Sequence, residues 1–288
     1  MRYVKELSNK NKIVSESTCE AVYEQQNDAY TIKFVFNGTE NCEINKRKFS
    51  IYPDTFAVIN AGTNFCSKID SINPVNTFSV SFGEKFIKDF HHTFSNSNES
   101  ILDGKEAKQT PAFVESLYPF GGDMRFNVLH LKNQLDNGLK DEMLINEYMY
   151  HCLLNYYKIY DKEVLQKLDK LSFIKTKTRA EVLKRLTLAK EYISSNYNQN
   201  ITLENIAEQA CLSVNHLLRT FKEAYETSPY QFLMQIRLNR AKKLLQTTGY
   251  PLNEIVGLVG FECPSSFIRL FKHTFNITPL KYRKSRLN

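Results

Sequence analysis

Ile255–Arg283 reads IVGLVGFECPSSFIRLFKHTFNITPLKYR, and its pattern occurs once before, as IAEQACLSVNHLLRTFKEAYETSPYQF at Ile206–Phe232. A shift of 49 residues pairs Leu203 with Leu252 and Ile206 with Ile255. A shift of 50 pairs Leu217 with Phe267, Arg219 with Arg269, Phe221 with Phe271, Lys222 with Lys272 and Pro229 with Pro279. The register changes once, between two apolar runs of helical period. A turn can absorb one residue, whereas a helix cannot slip by one without rotating its buried face. The unit is therefore helix, turn, helix, and the chain uses it twice.

The 288 residues suffice for two domains, each with its own core. The formal charge of +7 is unevenly placed: residues 179–288 hold 16 Lys+Arg against 8 Asp+Glu, and residues 1–178 hold 22 against 23. All of the basic excess thus travels with the repeat, the electrostatic footprint of a nucleic-acid binder. Cys19, Cys42, Cys66, Cys152, Cys211 and Cys263 are scattered, without a Cys-x-x-Cys, and read as reduced intracellular thiols. MRYVKELSNKNK, at the start, lacks the apolar run of a signal peptide, and no run of about 18 apolar residues occurs anywhere. The expectation is a soluble, cytoplasmic protein with no membrane partner.

From Tyr30 to about Val80, short alternating runs (TIKFVF, CEINKRKFSIY, TFAVIN, TFSVSF) lie between Asn37-Gly38, Pro53-Asp54, Ala61-Gly62 and Gly83. Such alternation between turn residues predicts antiparallel strands in a small sandwich or barrel, with Ile32, Phe34 and Phe36 on one face. The period then becomes helical. Phe86, Phe90 and Phe94 lie four apart; Phe126, Leu129 and the leucines that follow precede Asn137-Gly138, a helix stop. Ile145, Met149, Cys152, Leu153 and Tyr156 form an apolar stripe on a helix of about 20 residues. The stripe either packs on its own domain or, through Ile145, Met149, Leu153 and Tyr156, joins two copies in a homodimer. His91-His92, His130 and His151 lack the i, i+4 partner of a helical metal site, and no phosphate-cradling glycine loop, G-x-S-x-G or H-E-x-x-H occurs. No catalytic residue, cofactor or metal is expected.

Polar, Lys-rich sequence at 165–180 marks a linker, placing domains at 1–164 and 181–288. A helix is expected from about Arg179 to Tyr197, broken at Asn198–Asn200. Thr202 caps the next and Ser213 the one after. The helix-turn-helix units span about 202–226 and 251–276, with a core of Ile206, Leu217, Phe221, Ile255, Gly260, Phe267, Phe271 and Pro279. Leu217 and Phe221 face inward, which turns Asn215, Leu218, Arg219 and Lys222 outward. The second unit repeats this with Ser265, Ser266, Ile268, Arg269 and Lys272 around Phe267 and Phe271. An exposed basic face near a helix N-terminus is what a major-groove reader presents. Ser228, Pro229 and Gln231 start the connecting helix as cap, first-turn proline and capping-box partner. Its run to about Thr247 spans roughly 28 Å, close to the ~34 Å between successive major grooves on one DNA face. Cys263 stands at the last reading helix's cap, before Pro264.

These residues resemble the AraC/XylS family of bacterial transcription regulators, whose signature is similar to Ile255, Gly260-Phe261, Phe267, Arg269, Phe271-Lys272, Thr278-Pro279 and Tyr282-Arg283 as they stand here. The resemblance covers about 105 residues, with both units in order. Two departures occur. The family's glycine before the final Thr/Ser-Pro is Glu226 in the first unit and Asn276 in the second, and Cys211 stands where the second unit has Gly260. Glu and Cys are poor residues for a left-handed backbone. The N-terminal half resembles, more weakly, the cupin-like sensing domain common in that family, without the metal-binding histidines of cupin enzymes, since no His precedes His91.

The resemblance implies an α+β chain of two domains. The first is a cupin-like β-sandwich or barrel with helices, for effector binding or dimerisation; the second is all-helical and reads double-stranded DNA. The expected function is a sequence-specific regulator, an activator working with RNA polymerase, with a small-molecule effector as a further partner. Arg219 and Arg269 are assigned to bases or adjacent phosphates, Asn215 and Ser265 to base edges, Lys222 and Lys272 to phosphates. The competing class is an enzyme, either a cupin catalyst or a DNA-repair fusion.

Overall fold

A computed structural model of the chain describes residues 2–95, 113–173 and 175–285. They divide into two compact units, Met1–Leu165 and Gln166–Asn288.

In the first unit the strands are β1 (Arg2–Glu6), β2 (Lys12–Gln26), β3 (Tyr30–Asn37), β4 (Glu40–Ile44), β5 (Arg47–Ile51), β6 (Thr55–Ile59), β7 (Asn64–Phe82) and β8 (Leu117–Pro119). Among the described residues they form one antiparallel sheet in the order β1-β2-β7-β3-β6-β8, with β4 bridging β5 and β7. The 19-residue β7 organises it: its first half pairs with β2 and β4, its second with β2 and β3. Both faces of β3 are covered. Ile32 and Phe34 join the core beneath the helices, while Val35 joins a second core with Cys42, Ile44, Phe49, Ile51 and Phe65. The run at 42–52 is two strands rather than one, because Asn45 (φ 49°) and Lys46 (φ 68°) both take positive φ in a two-residue hairpin turn.

Helices α1 (Glu84–Ser95), α2 (Gly122–Asp136) and α3 (Glu142–Tyr160) cover one face of the sheet. The side chain of Phe94 lies outside the described residues. Met124, Val128, Leu131 and Leu135 form the buried stripe of α2, which leaves Phe126 73% exposed. On α3, Ile145, Met149 and Leu153 are 0% exposed and Tyr156 1%, packed into the core beneath the sheet. This corrects the dimer surface expected there: side chains already buried in their own unit have no area to give to a second copy.

A π-helical turn (Asp161–Leu165) carries α3 into the second unit, all helical in the described residues: α4 (Gln166–Lys170), α5 (Thr176–Ser195), α6 (Leu203–Gln209), α7 (Val214–Tyr225), α8 (Pro229–Thr247), α9 (Leu252–Leu258), α10 (Pro264–Phe275) and α11 (Pro279–Lys284). The stretch expected to link the domains is thus partly helical, and Leu171 in it is buried. Caps fix the boundaries. The Thr202 side chain accepts from Asn205 N, Ser213 from His216 N and Ser228 from Gln231 N, the first and last as full capping boxes.

The pairs α6–α7 and α9–α10 turn in the same way. Cys211 N–H bonds Glu208 O and Leu212 N–H bonds Ala207 O; Gly260 N–H bonds Gly257 O and Phe261 N–H bonds Val256 O. Cys211 (φ 50°) and Gly260 (φ 83°) are both left-handed, as are Glu226 (φ 58°) and Asn276 (φ 57°) after the second helix of each pair. The turns then differ by Glu262, the inserted residue that changes the repeat from 49 to 50. Arg237, mid-way along α8 and 8% exposed, donates from Nε to Tyr197 O (2.6 Å) and from Nη2 to Gln199 O (2.8 Å), with its guanidinium 5.7 Å from the centre of the Phe261 ring.

Those two left-handed turns respond oppositely to substitution. A Cβ on Gly260 would stand 2.9 Å from the Asn198 backbone, so Gly260→Ala adds steric conflict to backbone strain and costs more than ~1 kcal/mol. Cys211→Gly relieves a strained residue and gains about 1 kcal/mol. Thermal unfolding of the full chain checks both, and a neutral Gly260→Ala contradicts the close approach.

Candidate nucleic-acid interface

Helix α7 is seated by Leu217, Thr220, Phe221 and Ala224, each 0% exposed. The seat fixes the rest of the wheel: Asn215, Arg219 and Lys222, at i, i+4 and i+7, are exposed on one face, with Leu218 half-buried beside them. Helix α10 repeats the arrangement. Phe267 and Phe271 are fully buried, while Ser265, Arg269 and Lys272 are exposed. Two of its candidates are less open: Ile268 is half-buried against the cluster formed by Phe267 and Phe271, and Ser266 is half-buried at the helix start. There the Ser266 backbone and hydroxyl, then Ser265, hydrogen-bond the Cys263 sulfur and draw its thiol below the usual range. The remaining expected core residues also lie inside. Ile206, Ile255 and Pro279 are buried, and Gly260 is half-buried.

Charge sharpens at the boundary between the units. Residues 166–288 carry 20 Lys+Arg against 9 Asp+Glu, and residues 1–165 carry 18 against 22. Net charge nonetheless overstates the cations available to a polyanion, because several are committed within the unit. Arg185 bonds Glu181 (3.0 Å) and Cys211 O (2.9 Å), and Arg283 donates to Tyr250 O (2.6 Å). Arg240 stacks 3.9 Å from the Tyr197 ring centre and Lys242 4.6 Å from that of Phe275. Lys222, Arg269 and Lys272 stand exposed on the two outward faces. Arg219 has 64% of its side chain exposed, with Nε 4.0 Å from Glu223 Oε1 and the guanidinium 6.0 Å from the Phe173 ring centre. Neither Phe173 nor Glu223 was signalled by the repeat, since the position matching Glu223 is His273.

Three histidines of the first unit have local partners. His91 Nε2 pairs with Tyr157 Oη at 2.8 Å, and burial holds its pKa down. His130 Nδ1 meets Tyr148 Oη at 2.9 Å, and exposed His151 lies 4.0 Å from Glu147. Among the described residues, no three His, Cys, Asp or Glu side chains gather as a metal site, and no helix is long and apolar enough to cross a membrane.

A family model described as a helix-turn-helix domain matches residues 206–285, from the middle of α6 to the end of α11. Over these residues the chain carries a helix-turn-helix domain of the AraC type. It is similar to the raffinose operon transcriptional regulatory protein RafR of Pediococcus pentosaceus, 26% identical over 160 residues, 56% of this chain and 52% of that one. Similarity to the lactose operon transcription activator of Staphylococcus xylosus is 25% over 156 residues, 54% and 52% of the two chains. The bifunctional transcriptional activator/DNA repair enzyme AdaA of Bacillus subtilis is 34% identical over 97 residues, 34% of this chain and 46% of that one. The chain spans about half the length of these curated relatives.

The committed cations limit how steeply binding to DNA depends on salt. If about six phosphates are neutralised by the full chain, log K falls with log salt at a slope of roughly −5. Equilibrium titrations of a duplex at several salt concentrations measure it, and a flat response contradicts an interface built on these two faces.

Proposed function

We propose that the protein is a sequence-specific regulator of transcription, an activator that reads double-stranded DNA through two helix-turn-helix units, about 202–226 and 251–276. The observation that carries this is the recurrence of one outward face, Asn215, Arg219 and Lys222 on α7 and Ser265, Arg269 and Lys272 on α10, on helices seated by buried apolar residues at matching positions, Leu217 and Phe221 on the first and Phe267 and Phe271 on the second. A solvated surface gives no reason for an Arg and a Lys to keep the same offset from a buried pair twice. The 19-residue α8 between the pairs supports two readers about one helical turn of DNA apart.

In this reading residues 181–288 bind DNA, 165–180 link, and 1–164 form a cupin-like domain that senses a small-molecule effector or pairs with a second copy. A homodimer requires a surface other than the buried stripe of α3. RNA polymerase is the proposed partner for activation, and the cytoplasm the proposed location. An enzymatic role is the weaker reading, because the similarity to AdaA covers only 97 residues.

The two arginines test it. Arg219→Ala and Arg269→Ala each weaken specific binding by ~1–3 kcal/mol and relax preference at separate base positions about 10 bp apart. Asn215 offers both donor and acceptor beside Arg219, whereas Ser265 and the half-buried Ile268 offer less beside Arg269. Arg219→Ala therefore changes sequence preference more, and Arg269→Ala lowers affinity more uniformly. Selection of bound sites from random duplexes with each full-length variant reads both effects. Loss of the same consensus positions in both variants contradicts the assignment.

A further inference from the structure

Two arginines occupy equivalent places on the outward faces, yet their surroundings differ. On α7, Arg219 Nε lies 4.0 Å from Glu223 Oε1, one turn further along the helix. The other Glu223 oxygen, Oε2, accepts from Ser172 Oγ at 3.2 Å and from Ser172 N at 3.4 Å. Glu223 is therefore held from both sides, and 26% of its side chain remains exposed, against 64% for Arg219. The next residue, Phe173, presents its ring to two α7 side chains, 6.0 Å from the His216 ring and 6.0 Å from the Arg219 guanidinium. Lys170 and Lys167 continue the same docking along the helix. Lys170 Nζ is 2.7 Å from Glu226 Oε1, and Lys167 Nζ is 4.6 Å from the Tyr225 ring centre.

The segment Lys167–Phe173 thus lies lengthwise along α7, on the flank formed by His216, Arg219, Glu223 and Glu226. That flank adjoins the outward face and shares Arg219 with it. The second unit has no counterpart to the acidic partner, since the residue four after Arg269 is His273. Each of these contacts is a surface interaction of at most modest strength. Their joint effect is geometric. An arginine with four side-chain torsions is confined between a fixed carboxylate and an aromatic ring, and a confined guanidinium loses less freedom on reaching a base edge.

We infer that Glu223, fixed by Ser172, and Phe173 are positioning residues that aim Arg219, so that the first unit's base preference depends on the segment preceding its helices. This rests on the reading of Arg219 as a DNA contact. The consequence is an asymmetry between the units: the first is a pre-aimed reader, whereas Arg269 is not held by a carboxylate at the equivalent position. Residues 167–173 follow directly on Met1–Leu165 in the chain, and any displacement of this segment alters the contacts that Ser172 and Phe173 make with α7.

The experiment uses the full-length protein and a duplex obtained by selection with it, together with duplexes carrying each other base pair at the position that Arg219→Ala relaxes. Glu223→Gln removes the charge at nearly constant shape; Glu223→Asp keeps the charge but withdraws it by one methylene. Both variants lower discrimination at that base pair by about fivefold, the low end of what one bidentate base contact supplies, and leave discrimination at the Arg269-dependent positions unchanged. Combined with Arg219→Ala, neither lowers it further. A uniform change in affinity with discrimination intact overturns the inference, because Glu223 then only repels phosphate or supports the fold. If Arg219→Ala itself leaves every preference intact, the underlying reading of Arg219 falls, and the positioning role with it, which separates the two failures.

Discussion

The arrangement of the second unit depends on one buried cation. Arg237 is 8% exposed, and burial lowers its pKa, yet the charge is met by carbonyl oxygens of Tyr197 and Gln199 rather than by a carboxylate. Burying an ion costs several kcal/mol unless hydrogen bonds to the charge offset it. Two short, charge-assisted bonds do so here. They tie the loop after α5 to the middle of α8, and the same loop carries Asn198, against whose backbone Gly260 must fit without a Cβ. The loop that leads into α6, the middle of α8 and the turn of the second helix pair therefore meet at residues 197–199. α8 supplies the length between the two helix pairs, and the Arg237 bonds supply a fixed point.

Around that fixed point the chain builds the same local object twice with different residues. Left-handed backbone after α6 is taken by Cys211 and after α9 by Gly260, and only at Gly260 does a neighbouring backbone forbid a side chain. Cys211 is exposed and can carry its strain of about 1–2 kcal/mol. Glu226 also carries such strain, where its carboxylate pairs with Lys170. The two copies share the backbone of the turn and the buried seat of the second helix. Outside those constraints they differ, as Asn215 against Ser265 and Glu223 against His273 record.

What the sequence disclosed follows the range of the interactions. Caps, left-handed positions and the seats of α7 and α10 are set by residues within one turn of each other, so Thr202, Ser213, Ser228, Gly260 and the Leu217–Phe221 pair were all legible. The stripe of α3 was legible as apolar but not as to its partner, because a core face and an interface face have the same period. β1 and β2 escaped notice because KIVSESTCEAVYEQQ carries little apolar alternation; it is a strand by virtue of pairing with β7 along most of its length. The break between β4 and β5 was hidden because Lys46 occupies a positive-φ position usually marked by glycine. The Arg237 bonds span about 40 residues and the Ser172–Glu223 bond 51. No periodicity or motif reports on contacts of that range between a side chain and a distant loop.

We propose that two seated helices, held by one long helix and one buried arginine, read DNA as a pair. Hydroxyl-radical and major-groove methylation protection on a duplex selected by the full chain tests it most directly. Two protected major-groove tracts are expected on the same face of the duplex, their centres about 10 bp apart. A single protected tract, or two tracts on opposite faces, would contradict it.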